Sequence, residues 1–342
     1  MKLSDIAAKA NVSKATASLV LNGKPGVSDT KRAEILKIMN ESNYTRLRSP
    51  RKSSNQNKLK IRFVAGTNDD VILTKYQQPF FNELISFLTS EASNKNLSLI
   101  MSIFPKENLF NSLKEIEQEE KSAGIILLGT NLTSIQLRPL SSYFDNLIII
   151  DTESSGIDCT TVTMNNFLGS YIMTQYLLKM GHKKIGYIKG QPRINNFFDR
   201  RRGFKAVLTE NKIDPKELPI FHMKGMHFAH SDERHIESLL RFANSVTAIF
   251  CENDYMALNL IQELQNNGIS VPEDISVIGF DDIVESHFST PQLTTIHVPL
   301  REIANETIRL VLHGLKEQIT TRQQIFLNPK LIIRDSVQKI ST

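Results

Sequence analysis

The chain has 342 residues, enough for two or three structural units and a sizeable buried core. No run is apolar enough to span a membrane and the N-terminus lacks the apolar core of an export signal, so the expectation is a non-membrane protein of the cytoplasm. The net charge of +5 is uneven: residues 1–60 carry thirteen Lys/Arg against four Asp/Glu, and the remainder 28 against 32, so a basic head that would meet a polyanion precedes a mildly acidic body.

The head reads as a helix-turn-helix. Ser4 is placed to cap a first helix on which Ile6, Ala7 and Ala10 share a face. Asn11 tolerates the left-handed backbone of a tight turn, Val12 can drop into the core beneath it, and Ser13 can cap a second helix. On that helix Ala17, Val20 and Leu21 face inward, leaving Lys14, Ala15, Thr16, Ser18 and Leu19 for a DNA groove. A plain helical hairpin would share this pattern. A third amphipathic helix, from a Ser28 cap through Ile35, Leu36 and Met39 to about Asn43, argues for a three-helix unit instead. The stretch from Ser42 to Asn68 has no acid and accumulates Arg46, Arg48, Arg51, Lys52, Lys58, Lys60 and Arg62, which suits phosphate contact. Residues 45–59 are polar and bury little, so they read as a hinge.

Strands and helices then alternate. Strand Lys60–Gly66 precedes a helix opened by Pro79-Phe80-Phe81 and running to about Ser93. Strand Leu97–Phe104, helix Leu109–Glu120, and strands Gly124–Leu128 and Asn146–Asp151 follow. A second series comprises helix Phe167–Met180, strand Lys184–Lys189, helix Asp199–Glu210, a strand around Ile220 and helix Ser231–Phe242. It continues through strand Ala248–Cys251, helix Asp254–Asn267 and strand Ile275–Phe280. Such alternation means parallel, doubly wound sheets, and two series imply two lobes with ligands bound outside the carboxyl ends of the strands. The tail, Leu293–Pro299, a helix to about His313, and Ile325–Arg334, is long enough to cross between lobes.

Taken in order, Leu3-Ser4-Asp5-Ile6-Ala7, Val12-Ser13, Leu21-Asn22-Gly23, Val27-Ser28 and Asn43-Tyr44 resemble the head of the lactose-repressor (LacI/GalR) family of bacterial transcription factors. The resemblance extends over nearly the whole chain through Pro79-Phe80-Phe81, Gly181-His182, Arg200–Phe204, Asn253-Asp254, Val277–Asp282, Pro291–Thr295 and Leu331–Arg334. It implies a small all-α helix-turn-helix head plus an α/β periplasmic-binding-protein-like body of two doubly wound parallel-sheet lobes. The expected divisions are 1–44 for the head, 45–59 for the hinge, 60–160 with 293–323 for the first lobe, and 161–292 with 324–342 for the second.

The resemblance also implies a homodimer on palindromic double-stranded operator DNA, controlled by a small effector, a sugar or sugar derivative, between the lobes. It places Lys14, Ala15 and Leu19 at base edges, where a lysine can donate to guanine and an alanine can meet a thymine methyl. Thr16, Ser18, Asn22 and Lys31 fall at phosphate-holding positions, and Arg46, Arg48, Arg51 and Lys52 in the DNA-contacting hinge. Phe80, Asp151, Arg200, Asn253 and Asp281 fall at effector positions. Two departures stand out. Leu19 replaces the usual arginine, and the hinge has Pro50 and Ser53 where a helix with a wedging leucine is usual.

Other chemistry finds little support. His222, His227, His230 and His235 lack consistent metal-ligand spacing and read as surface histidines, and His182 reads as securing a turn. Cys159 and Cys251 read as buried thiols, and neither phosphate-loop spacing nor a nucleophile with its base occurs, so no enzyme, metal or cofactor is expected. The competing readings are a regulator triggered by a partner protein or non-sugar ligand, and a sugar-binding carrier, against which the basic head counts.

Overall fold

Near-continuous apolar runs such as Gly124–Leu128 and Leu147–Ile150 are buried along their whole length, as strands covered by helices on both faces must be. The computed structural model describes residues 3–21, 26–42, 58–67, 78–153, 156–224, 233–316 and 321–340. Contacts divide the chain into two units, Met1–Asn57 and Lys58–Thr342.

In the first unit, α1 (Leu3–Lys9), α2 (Lys14–Leu21) and α3 (Asp29–Glu41) enclose Ile6, Ala10, Val20, Ile35 and Met39, with Val12, Leu21, Val27 and Ile38 packed around them. Asn11 takes the left-handed backbone of the turn at φ 48°, and its N–H donates to Ala8 O at 3.1 Å. Ser13 caps α2 by accepting from Thr16 N at 3.0 Å. Ser4 lies inside α1 rather than ahead of it, and α3 ends at Glu41, short of the expected Asn43.

The second unit continues with β1 (Leu59–Thr67), α4 (Gln78–Asn94), β2 (Leu97–Pro105), α5 (Leu109–Glu119), β3 (Gly124–Leu128), α6 (Ser134–Tyr143), β4 (Leu147–Ile150) and β5 (Thr160–Met164). Then come α7 (Asn166–Lys179), β6 (Ile185–Gln191), α8 (Asn195–Glu210), β7 (Ile220–Lys224), α9 (Glu233–Asn244), β8 (Ala248–Cys251), α10 (Asp254–Asn266) and β9 (Ser276–Ile278). The tail holds β10 (Thr295–His297), α11 (Leu300–Lys316), β11 (Gln324–Leu327) and β12 (Lys330–Ile332). One sheet has the order β11-β5-β4-β3-β1-β2 and the other β7-β6-β8-β9, every neighbouring pair being parallel.

Three elements differ from expectation. The strand β5 was not anticipated because three threonines hide its apolar alternation, yet all five residues are buried between β4 and β11. The helix α6 was obscured by Pro139 in its interior, although Thr133 and Gln136 carry the capping signature, with Thr133 N donating to Gln136 Oε1 at 3.0 Å. The helix α8 starts at Asn195 rather than Asp199, because Ile194 is still extended and the chain winds directly after it. Sheet pairing also moves the expected lobe divisions. The strands β5 and β11 belong to the first sheet and run beyond the expected first-lobe limits of 160 and 323, while Thr295–His297 pairs antiparallel with β12.

The tail is tied down at His182, which is fully buried, with Nδ1 3.0 Å from Thr247 Oγ1 and Nε2 3.0 Å from Gln338 O. The histidine does secure its turn, and both cysteines are buried thiols. At Gly203, on α8 against α7, an added Cβ would stand 2.2 Å from Phe167 O, a backbone atom that cannot swing aside. Gly203→Ala is expected to destabilise the fold by about 2–3 kcal/mol, read as a lower urea midpoint with an unchanged slope; a midpoint at the wild-type value would show that the two helices can part without loss.

Candidate functional site

In the head, Lys14 and Ala15 are exposed at the start of α2, whereas Thr16, Ser18 and Leu19 are half-buried. The Thr16 hydroxyl lies 2.8 Å from Ser13 Oγ and Lys31 Nζ 2.8 Å from Glu34 Oε2, so each has a local partner that a phosphate would share or displace. Leu19 Cδ1 lies 3.9 Å from the Cβ position of Gly26, against the loop leading to α3. Asn22, Arg46, Arg48, Arg51 and Lys52 lie outside the described residues.

In the body, Phe80, Asp151, Arg200, Asn253 and Asp281 all line one cleft, with Thr130, Asn196, Phe197 and Tyr255. Their convergence follows from topology. Thr130, Asp151, Asn253 and Asp281 each lie within three residues of the carboxyl end of a parallel strand, β3, β4, β8 and β9 respectively, where the chain turns away and polar side chains point past the sheet. Asp151 and Asp281 hold backbone that side-chain-bearing residues seldom adopt, φ 59° and 120°.

Arg200 is the hub. Its Nε donates to Asn166 Oδ1 at 2.9 Å and its Nη1 to Glu252 O at 2.5 Å, and Nη2 lies 3.0 Å from Asp281 Oδ1. The Phe280 ring centroid is 3.7 Å from its Cζ, so the guanidinium is stacked as well as bonded. Burial pushes the Asp281 carboxyl up to about 7 against the pull of Arg200, and Asp151 up to about 6 despite bonds from Thr130 and Asn196. Asn253 does a second job, capping α10 by accepting from Met256 N at 2.9 Å. Phe80 also belongs to the core, meeting Phe81 edge-on at 5.4 Å.

Asn195 and Asn196 had not been singled out, yet both join the two lobes across the cleft. Asn196 Nδ2 donates to Asp151 Oδ1 at 3.1 Å, and Asn195 Nδ2 to Thr152 Oγ1 at 3.1 Å and Leu132 O at 3.2 Å. Asn196 stands one helical turn before Arg200, a spacing legible in the sequence once α8 is extended to include it. With these bonds in place only about 30 Å³ of the cleft is open, far below the roughly 300–1,000 Å³ of a ligand pocket. Asn196 Oδ1, in the cleft, and both amide atoms of Asn131, next in sequence to Thr130, are buried without a partner, leaving two acceptors and one donor group unsatisfied. His227 and His230 lie outside the described residues, and among the described residues no cluster of three or more His, Cys, Asp or Glu is arranged to hold a metal.

Residues 2–46 match the family model described as bacterial regulatory proteins, lacI family, and residues 174–337 that of a periplasmic binding protein-like domain. Over 99% of both chains, the protein is 28% identical to the HTH-type transcriptional repressor PurR of Mannheimia succiniciproducens and 27% identical to the ribose operon repressor of Haemophilus influenzae. Its fold is similar to that of the lac repressor dimer bound to operator and an anti-inducer, with a TM-score of 0.70 at 22% identity and 99% of each chain covered.

Proposed function

From the premise that this chain belongs to the lacI family of bacterial regulatory proteins, we propose that it is a cytoplasmic, non-enzymatic repressor that binds a palindromic operator as a homodimer and responds to a small sugar-like effector held in the Arg200–Asp281 cleft. The observation that carries the effector reading is the convergence of polar strand-end residues on one buried arginine. A carboxylate accepts from sugar hydroxyls and a guanidinium donates to them, so Asp151, Asp281 and Arg200 offer both halves of the recognition. Entry of a sugar requires Asn196 to release Asp151 and Asn195 to release Thr152, which couples occupancy to lobe separation. A relative named for the ribose operon fits a sugar effector.

Operator reading is assigned to Lys14, Ala15 and Leu19, with Thr16, Ser18, Asn22 and Lys31 on phosphates and Arg46, Arg48, Arg51 and Lys52 adding charge. Leu19 cannot form the bidentate fork of an arginine, so a thymine methyl at that step is the expected preference. The dimer contact is assigned to the edge strand β2, where Met101 and Ile103 are about half exposed, together with Val284 and Phe288. No helix among the described residues is long and apolar enough to cross a membrane.

A gel shift on DNA upstream of the protein's own and neighbouring genes, repeated with a sugar panel, tests the reading. The expected result is a retarded palindromic fragment whose affinity changes with one sugar, and at least a tenfold weaker complex for Lys14→Ala, about 1.4 kcal/mol. No shift at low salt together with tight sugar binding would instead identify a carrier, and a shift that no sugar alters would point to a partner protein or another ligand.

A further inference from the structure

Outside the cleft, cationic side chains gather at the carboxyl ends of β6 and β7. Lys189 and His222 are register partners on these neighbouring strands, and Gln191 Nε2 lies 3.1 Å from His222 Nδ1. Arg201 Cζ lies 5.6 Å from the Tyr187 ring, and Tyr187 shares a face of β6 with Lys189 because alternate strand residues point the same way. Arg193 Cζ lies 4.9 Å from the Phe198 ring centroid and 5.4 Å from that of Phe197. Burial and then the charges of Lys189, Arg201 and Arg193 hold the His222 imidazole below its ordinary range, so all three cations act on one point.

Counter-charge at this rim is short. Glu252 meets Arg193 Nη1 at 2.5 Å and is also held by the Tyr187 hydroxyl and the Gly190 N–H, and among the described residues no carboxylate pairs with Lys189 or Arg201. Arg193 Nε and Nη2 are buried with no partner. Like charges so gathered repel unless an anion sits among them, and guanidinium groups are well suited to phosphate or carboxylate oxygens. The rim also adjoins the cleft. Arg193 and Arg200 lie 5.4 and 5.8 Å from the same Phe197 ring, and Arg193 holds the Glu252 carboxylate while Arg200 holds its carbonyl. Phe197, which lines the cleft, and Glu252 are thus all that stand between Arg200 and the rim, a separation a sugar-sized ligand can span.

We propose that the effector is anionic, a sugar-sized phosphate ester or acid whose charged group rests on Lys189, Arg193, Arg201 and His222. The inference depends on the cleft being the effector site. Thermal unfolding of the full chain in inorganic phosphate against chloride at equal ionic strength is the first test. Phosphate is expected to raise the midpoint of the wild type, and Lys189→Gln/Arg201→Gln is expected to lose much of that rise. The basic head is the same in both proteins, so the lost part reports on the rim alone. A cooperative transition in chloride with a midpoint at or above that of the wild type shows that the variant is folded, and Lys189→Gln alone serves if the double variant is not.

Titration calorimetry then compares monosaccharide phosphates, the matching sugar acids and the parent sugars. The expected result is at least tenfold tighter binding of one anionic form, with the ratio falling towards one in the variant; which form wins tells phosphate from carboxylate. An equal phosphate effect on both proteins, or a parent sugar bound as tightly as its anionic forms, overturns the inference and leaves the cleft reading standing. The cleft reading falls separately if Arg200→Lys binds each ligand as the wild type does.

Discussion

Replacing Arg200 with methionine is expected to abolish the effector response of operator binding and to cost about 3–5 kcal/mol of stability at neutral pH. Both effects come from one set of contacts. The guanidinium is 3% exposed and serves Asp281, Asn166, the Glu252 carbonyl and the Phe280 ring at once. Methionine can fill much of the volume but leaves a buried carboxylate and two acceptors without their donor, and that loss exceeds the loss of packing. Asp281, already pushed up to about 7, would lose the guanidinium that opposes burial and rise further, so the destabilisation should shrink as the pH is lowered.

A second substitution separates structure from recognition. Arg200→Met/Asp281→Asn removes the unpaired charge and is expected to recover much of the urea midpoint while remaining unresponsive to effector. Operator affinity without effector, measured by fluorescence anisotropy, should stay near the wild-type value in the double variant if the change is confined to the cleft. Wild-type induction in either variant would remove Arg200 from the effector site.

Arg200 and Asp281 were legible only through the family resemblance of the motifs that hold them; the structure supplies the physical reason that they meet, since parallel sheets gather strand-end positions at one edge. Asp151 and Asn253 came from the same resemblance and converge for the same reason. Asn195 and Asn196 stayed hidden because an uncharged pair after Ile194 reads as a loop, and only the observed start of α8 turns Asn196 into the neighbour of Arg200 by one helical turn. The strand β5 was invisible for a related reason. Threonine is a β-branched residue that packs well in a strand, yet its hydroxyl breaks a count of apolar positions. The tail divides between sheets through pairing at long sequence separation, Gln324 with Thr161 and Thr295 with Ile332, which no local pattern records. The head was the most legible unit, because its turn, cap and core residues all act within 40 residues of one another.

Acidification from pH 8 to about 5.5 is expected to stabilise the body, contrary to the behaviour of a protein held by ordinary surface ion pairs. The carboxyls of Asp151 and Asp254 are raised to about 6 and that of Asp281 to about 7, in each case chiefly by burial. Their unfolded value is about 4, so between these limits the folded chain binds more protons than the unfolded one. Stability therefore rises as the pH falls through the folded values, by roughly 2 kcal/mol from Asp281 over this range and under about 1 kcal/mol from each of the others. His182 opposes the trend below its ordinary range, since burial lowers its pKa and the folded state resists its protonation. Glu306, whose pKa is lowered by its bond to Arg309, weakens the fold only as the pH drops further, through the carboxylate range. The maximum should thus lie on the acid side of neutrality, and Asp281→Asn should remove the largest part of the slope. Urea unfolding across this pH series measures both, and a midpoint that is flat or falls from pH 8 to 5.5 would show that these carboxyls do not carry the protons assigned to them.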